Sequence, residues 1–167
     1  HIGVSMGIRG ADVARDVSDI ILLDDNFSSI VKAVKEGRTV YDNIKKSIKF
    51  HLAANIGELL LVVLALAFML PLPMLPLAIL WMNLITDSLP SISLSFEKPD
   101  EDIMRRKPKN PKETILGGIV NFTLIAGILC FLSTIAVFLM FYSADLEKAR
   151  TITLTTAVFY EMFIVFA

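Results

Sequence analysis

The sequence predicts a mainly α-helical membrane protein, with four transmembrane helices preceded by the end of an α/β unit. Of its 167 residues, 54% are hydrophobic and 20% charged, too apolar for an ordinary soluble domain and too charged for lipid-buried helix alone. The charges are segregated: residues 1–50 hold eight Lys/Arg and seven Asp/Glu, and long uncharged runs begin only at Leu52. Those runs approach the roughly 20 residues a helix needs to cross the hydrocarbon core.

Residues 1–38 read as the closing part of an α/β unit: a strand Ile2 to Met6, a turn at Gly7, a helix near Ala11 to Val17 and a strand Ile20 to Leu23. Ser28 and Ser29 are N-cap candidates for the next helix, in which Ile30, Val34, Tyr41, Ile44 and Ile48 recur at helical spacing, with Gly37 a weak point. No stop signal precedes the apolar run, so residues 39–70 are expected to form a stalk continuous with the first membrane helix, Leu52 to Leu70. Pro71, Pro73 and Pro76 must break and turn it. A second, broken span occupies 75–96, a charged cytosolic loop 97–114, a third span 115–142, and a fourth, truncated span 151–167. The chain opens on His1 with no signal-peptide pattern and reads as a piece cut at both ends from something longer.

Basic residues set the orientation. Lys45, Lys46 and Lys49 precede the first span, and Lys98, Arg105, Arg106, Lys107, Lys109 and Lys112 lie between the second and third, so both segments belong on the cytoplasmic side. The turn at Pro71 to Pro76 and the link 143–150 then lie outside. A net charge of −1 without a basic, aromatic-interleaved stripe gives no sign of a nucleic-acid partner. Cys130, a lone cysteine in an apolar run, supplies neither a disulfide framework nor a thiolate metal site.

The spans contain no Lys or Arg, yet they contain Glu58, Asp87 and Glu161. An ionised side chain at the bilayer centre costs about 2.5–3.5 kcal/mol on insertion scales, so three unmatched acids call for protons, a cation or an outside partner. Asn55 shares a helix face with Glu58 at i,i+3, as Asn83, Thr86 and Asp87 do at i, i+3 and i+4. Carboxylate, amide and hydroxyl oxygens suit hard cations such as Ca²⁺, Mg²⁺ or Na⁺, and disfavour soft metals that want His or Cys. Pro90 lacks an N–H and so frees the carbonyl of Thr86, four residues earlier, as a further donor. Asn55, Asn83 and Thr86 taken singly are also explained as interhelical hydrogen-bonding groups. Beside the three acids they point to a cation path.

The ordered string Asp24-Asp25-Asn26-Phe27-Ser28-Ser29-Ile30-Val31, Glu36-Gly37-Arg38, Asn55-Ile-Gly-Glu58, Trp81-Met-Asn83-Leu-Ile-Thr86-Asp87-Ser-Leu-Pro90 and Asp102-Ile-Met-Arg105-Arg106-Lys-Pro108 resembles the P-type cation-transporting ATPases over nearly the whole chain. The likeness is strongest to calcium pumps of the sarcoplasmic-reticulum type. It implies that residues 1–38 end a HAD-like phosphorylation domain and that the four spans are the family's fifth to eighth membrane helices. It implies two Ca²⁺ sites, Asn83 and Asp87 serving one, and Asn55, Glu58, Thr86, Asp87 and Glu161 the other. The parent would be a Ca²⁺-transporting ATPase, a translocase that exports Ca²⁺ from the cytosol by alternating access, driven by a phosphorylated aspartate and returning protons.

The family's phosphorylated Asp, nucleotide-binding domain and magnesium-binding hinge motif are absent from these residues, so no catalytic or cofactor-binding residue is assigned. ATP and Mg²⁺ belong to the full-length parent only, and the piece alone is expected to be inactive. Asp24 and Asp25 are expected to be structural supports near the phosphorylation site rather than Mg²⁺ ligands, and the Glu97 to Glu113 loop a cytosolic face that helps couple that domain to the helices. Expected partners are the lipid bilayer and the remaining domains of the parent. The short link 143–150 suits a compact multi-pass protein of a prokaryotic plasma membrane. The rivals are a pump of the same class moving Na⁺ or H⁺, and an ATP-independent channel or scaffold.

Overall fold

The structure, a computed structural model, describes residues 2–108, 110 and 114–167. His1 and the loop residues Lys109, Lys112 and Glu113 of the sequence reading lie outside the described residues. The chain divides into two compact units, His1–Asp42 with Lys98–Pro108, and Asn43–Glu97 with Lys109–Ala167.

In the first unit, β1 (Val4–Met6) and β2 (Ile20–Leu22) pair in parallel, joined through the short helix α1 (Asp12–Asp16). Gly7 is required where the strands separate, because a Cβ there would stand 2.8 Å from the Leu22 carbonyl oxygen. Asp25 takes a left-handed backbone at φ 50, a conformation Asp tolerates. Its carboxylate accepts the backbone N–H groups of Ile8 and Arg9, each at 2.8 Å. Donation from the Ile8 N–H, supported by Arg9, holds this carboxyl below the usual carboxylate range. Asp24 accepts from the Ser29 hydroxyl and the Asn26 N–H. Both acids are engaged in local bonds that fix the turn.

Helix α2 (Ser28–Ala67) is one continuous helix of 40 residues. In the first unit it holds the loop: Arg38 donates to the carbonyls of Ile103 at 2.7 Å and Arg106 at 2.9 Å. Arg106 in turn pairs with Asp42, Asp100 and Asp102. Its guanidinium holds the Asp102 carboxyl below its ordinary range.

The second unit is helical. After α2 come α3 (Pro76–Trp81), a π-helical turn (Met82–Thr86), α4 (Ser88–Ser95), α5 (Val120–Phe141) and α6 (Leu146–Ile164). Leu61, Met74, Met82 and Ala157 form the buried core, with Ile79, Phe131 and Leu154 against it. α2 and α5 meet at two glycines. A Cβ on Gly57 would lie 2.7 Å from the Cys130 Cβ, and one on Gly127 would lie 2.5 Å from the Ile56 Cγ2.

Several boundaries differ from the sequence reading. α2 stops at Ala67, before the prolines, because Leu70 N–H closes back on the Ala65 carbonyl at 2.8 Å while Met69 turns left-handed at φ 54. α5 starts at Val120 rather than Ile115, since turns that include Gly118 at φ 81 precede it. α6 begins at Leu146 rather than Thr151, capped by Asp145, whose carboxylate accepts the Lys148 N–H at 3.0 Å. Pro76 to Ser95 is not unwound. Its irregularity is one widened turn, closed by the Asp87 N–H on the Met82 carbonyl at 3.0 Å.

Among the described residues, three helices are long and apolar enough to cross a membrane: Ser28–Ala67, Pro76–Ser95 and Val120–Phe141. α6 is 19 residues long, but it carries Glu147, Lys148, Arg150 and Glu161 and is not one of the three.

Candidate cation site

Glu58 lies on the inner face of α2, 7% exposed, one residue beyond the Gly57 contact with α5. Across from it the π-helical turn presents Asn83, whose Nδ2 donates to Glu58 Oε2 at 2.9 Å and to the Ile79 carbonyl at 3.0 Å. Both amide hydrogens are thereby committed, which turns the Asn83 carbonyl oxygen into the group left for other chemistry. A π turn rotates the residues that follow it relative to an α-helix, so the widened segment sets where Thr86 and Asp87 point. Both are buried, at 3% and 1% exposure. Pro90 is buried as well and offers no N–H to the Thr86 carbonyl. Glu161, on α6, is fully buried.

Glu58 Oε1, Asp87 Oδ1 and both carboxyl oxygens of Glu161 are buried without a hydrogen-bond partner among the described residues. Their charges interact: Asp87 and Glu58 act on Glu161, and Asp87 acts on Glu58. Burying a polar oxygen unpaired costs about 1–3 kcal/mol, and more when it is charged. Such a cluster is tolerated where a proton or a cation takes up the charge. No three His, Cys, Asp or Glu side chains among the described residues converge closely enough to hold a metal by themselves. A cation bound here therefore needs the amide, hydroxyl or backbone oxygens of Asn83 and Thr86 as well, a donor set that suits a hard ion.

Asn55 stands apart from the others. It is exposed, and its Nδ2 donates to the His51 carbonyl one turn back at 2.8 Å. An i,i+3 pair is separated by about 60° around a helix, so Glu58 can face inward while Asn55 sits on the rim of that face. His51 and Ser91 were not singled out from the sequence. The imidazole reaches the Ser91 hydroxyl at 3.1 Å. The legible signals were a histidine at the mouth of an apolar run and a serine four residues after Asp87.

Residues 71–167 match the family described as "Cation transporting ATPase, C-terminus". The chain is 43% identical over 169 residues to a calcium-transporting ATPase of Bacillus subtilis, covering 99% of this chain and 19% of that protein. It is 48% identical over 147 residues to calcium-transporting ATPase 1 of Bacillus cereus, covering 86% of this chain and 17% of that protein. An endoplasmic-reticulum-type calcium-transporting ATPase of Arabidopsis thaliana is 41% identical over 143 residues, covering 85% of this chain and 14% of that protein. The chain thus spans less than a fifth of the length of these relatives. The chain, with its three long apolar helices, belongs to the family of cation-transporting ATPases, whose C-terminal region it represents.

Proposed function

We propose that this chain supplies the intramembrane cation-binding groups of an ATP-driven pump that exports Ca²⁺ from the cytosol. One observation carries the reading: Glu58 Oε1, Asp87 Oδ1 and both carboxyl oxygens of Glu161 are buried without hydrogen-bond partners among the described residues. In this reading Asn83, Thr86 and Asp87 converge with Glu58 and Glu161 on the ions. Asn55 joins them once a further element of the parent covers its exposed face. α6 is the fourth membrane helix, and residues 1–38 close a HAD-like phosphorylation domain whose exposed Ile8, Val13, Leu23 and Phe27 pack against the rest of that domain. ATP, Mg²⁺ and the phosphorylated aspartate act in the remaining domains of the parent, and this piece alone is inactive. The two Bacillus relatives favour a bacterial plasma membrane.

Oxygen donors alone separate Ca²⁺ from Na⁺ or H⁺ poorly, and the names of the relatives favour Ca²⁺. The test is phosphoenzyme formation from ATP by the full-length parent at micromolar Ca²⁺, with and without Asp87→Asn. Wild-type protein should phosphorylate only when Ca²⁺ is present, and the variant should lose that response. Wild-type phosphorylation that follows Na⁺ instead transfers the pump to the other ion, and unchanged Ca²⁺ dependence in the variant removes Asp87 from the site.

A further inference from the structure

A row of polar contacts ties α2 to the helix formed by α3, the π turn and α4. Asn43 Nδ2 donates to the carbonyls of Ser95 at 3.2 Å and Glu97 at 3.0 Å. Lys46 Nζ meets Glu97 Oε2 at 2.9 Å. His51 meets the Ser91 hydroxyl, and Asn83 meets Glu58. From Asn43 and Lys46 through His51 to Glu58, the partners step back from Ser95 and Glu97 through Ser91 to Asn83, so the contacts lie along one antiparallel seam. His51 and Ser91 make the middle rung. Glu58 is about two turns further along α2, and Asp87 about one turn back from Ser91.

This rung is specific in chemistry. The imidazole Nδ1 lies 3.0 Å from the Ser47 carbonyl, and the Ser91 hydroxyl lies 3.1 Å from Nδ1 and 3.4 Å from Nε2. With Nδ1 protonated, the ring donates to Ser47 and accepts the Ser91 hydroxyl on Nε2. With Nε2 protonated, Nδ1 accepts it instead. Either neutral tautomer therefore holds Ser91. Both residues are half-buried, and the Ser91 carbonyl accepts the Ser95 hydroxyl at 2.9 Å, which carries the contact on along α4.

We propose that His51 and Ser91 are positioning residues for the cation site: their hydrogen bond sets the register of α4 against α2, and with it the spacing between the oxygens of Glu58 and Asp87. The inference rests on the cation-site reading of those two acids. A site built from two helices binds with full strength only while the helices keep one spacing, because hard cations demand oxygens at defined distances. Neither residue touches the ion. Loosening the rung lowers affinity and leaves the chemistry of phosphorylation in place.

The test is a double-mutant cycle in the full-length parent, reading the Ca²⁺ concentration for half-maximal ATPase activation separately from the maximal rate. His51→Leu and Ser91→Ala should each raise the half-maximal concentration by about fivefold, the effect of one neutral hydrogen bond, with the maximal rate unchanged. The double variant should be no worse than either single one. His51→Gln and Ser91→Thr keep a hydrogen-bonding group and should return the value close to wild type, which separates positioning from a defect in folding. Unchanged half-maximal concentrations, effects that add in the double variant, or a fall in maximal rate alone would each overturn the proposal. If Ca²⁺ does not activate the wild type, the Ca²⁺ reading fails by itself, and the same cycle is read with the cation that does activate it.

Discussion

Asn83 and Glu58 are joined across two helices by a single amide donor: Nδ2 gives one hydrogen to Glu58 Oε2 at 2.9 Å and the other to the Ile79 carbonyl at 3.0 Å. One side chain thus fixes a carboxylate on α2 and secures the turn from which it projects. Asn83→Ala removes the donor and leaves a second oxygen of Glu58 without a partner. Hydrogen bonds to charged groups contribute about 1.5–3 kcal/mol, so apparent Ca²⁺ affinity in the full-length parent should fall by about tenfold or more. Ca²⁺ titration of ATPase activity measures it, and an affinity within twofold of wild type would show that the amide does not support the site.

Glu161 poses the opposite trade. It is fully buried, and neither of its carboxyl oxygens has a partner among the described residues. Removing an uncompensated buried acid commonly stabilises a fold, while removing a ligand weakens binding. Glu161→Gln should therefore raise the midpoint of thermal inactivation without Ca²⁺ by about 2–4 °C and lower Ca²⁺ affinity. Scans with and without Ca²⁺ check both halves. A variant less stable than wild type in the absence of Ca²⁺ would identify Glu161 as a packing group.

The contact of α2 with α5 leaves no room for a methyl group. A Cβ at Gly57 would stand 2.7 Å from the Cys130 Cβ and 2.8 Å from its Sγ, both in the neighbouring helix. Gly57→Ala should cost about 1–3 kcal/mol through overpacking, read as a lower midpoint of thermal inactivation. Cys130→Ala keeps the offending Cβ and should not rescue it, whereas Cys130→Gly should. Rescue by Cys130→Ala would place the clash at the sulfur instead.

Much of this architecture was legible because membrane solvation writes itself into sequence. A run such as Leu52 to Leu70, charged only at Glu58, has few alternatives to helix, and Glu58, Asp87 and Glu161 stand out against their apolar neighbours. Helix ends were less legible, since they depend on backbone closure. Met69 in a left-handed conformation ends α2 where glycine would be the usual signal, and Asp145 starts α6 a turn early with an ordinary cap. The π turn at Met82–Thr86 carries no periodicity signal, so the second span could be read as interrupted but not as widened. Asn55 shows the limit of spacing arguments, because i,i+3 places two residues near one face without saying which lies at its rim. The His51 to Ser91 contact needed two helices to be set side by side before it existed.

Arg106 gathers the charged loop onto α2 within the first unit. It meets Asp42 at 2.7 Å and Asp102 at 2.7 Å, pairs with Asp100, and offers its backbone carbonyl to Arg38 at 2.9 Å. A planar guanidinium can serve several carboxylates at once, which a lysine ammonium does less well. Arg106→Ala should therefore loosen the segment around Asp100 to Arg106 and expose Ile103, now 2% exposed, to protease. Cleavage of this loop in the full-length parent should accelerate severalfold at low ionic strength, with Arg106→Lys intermediate. Because these ion pairs are partly solvated, about 1 M salt should bring wild type and variant closer together. A cleavage rate unaffected by Arg106→Ala at low salt would mean that Arg38, through its bonds to the Ile103 and Arg106 carbonyls, holds the loop by itself.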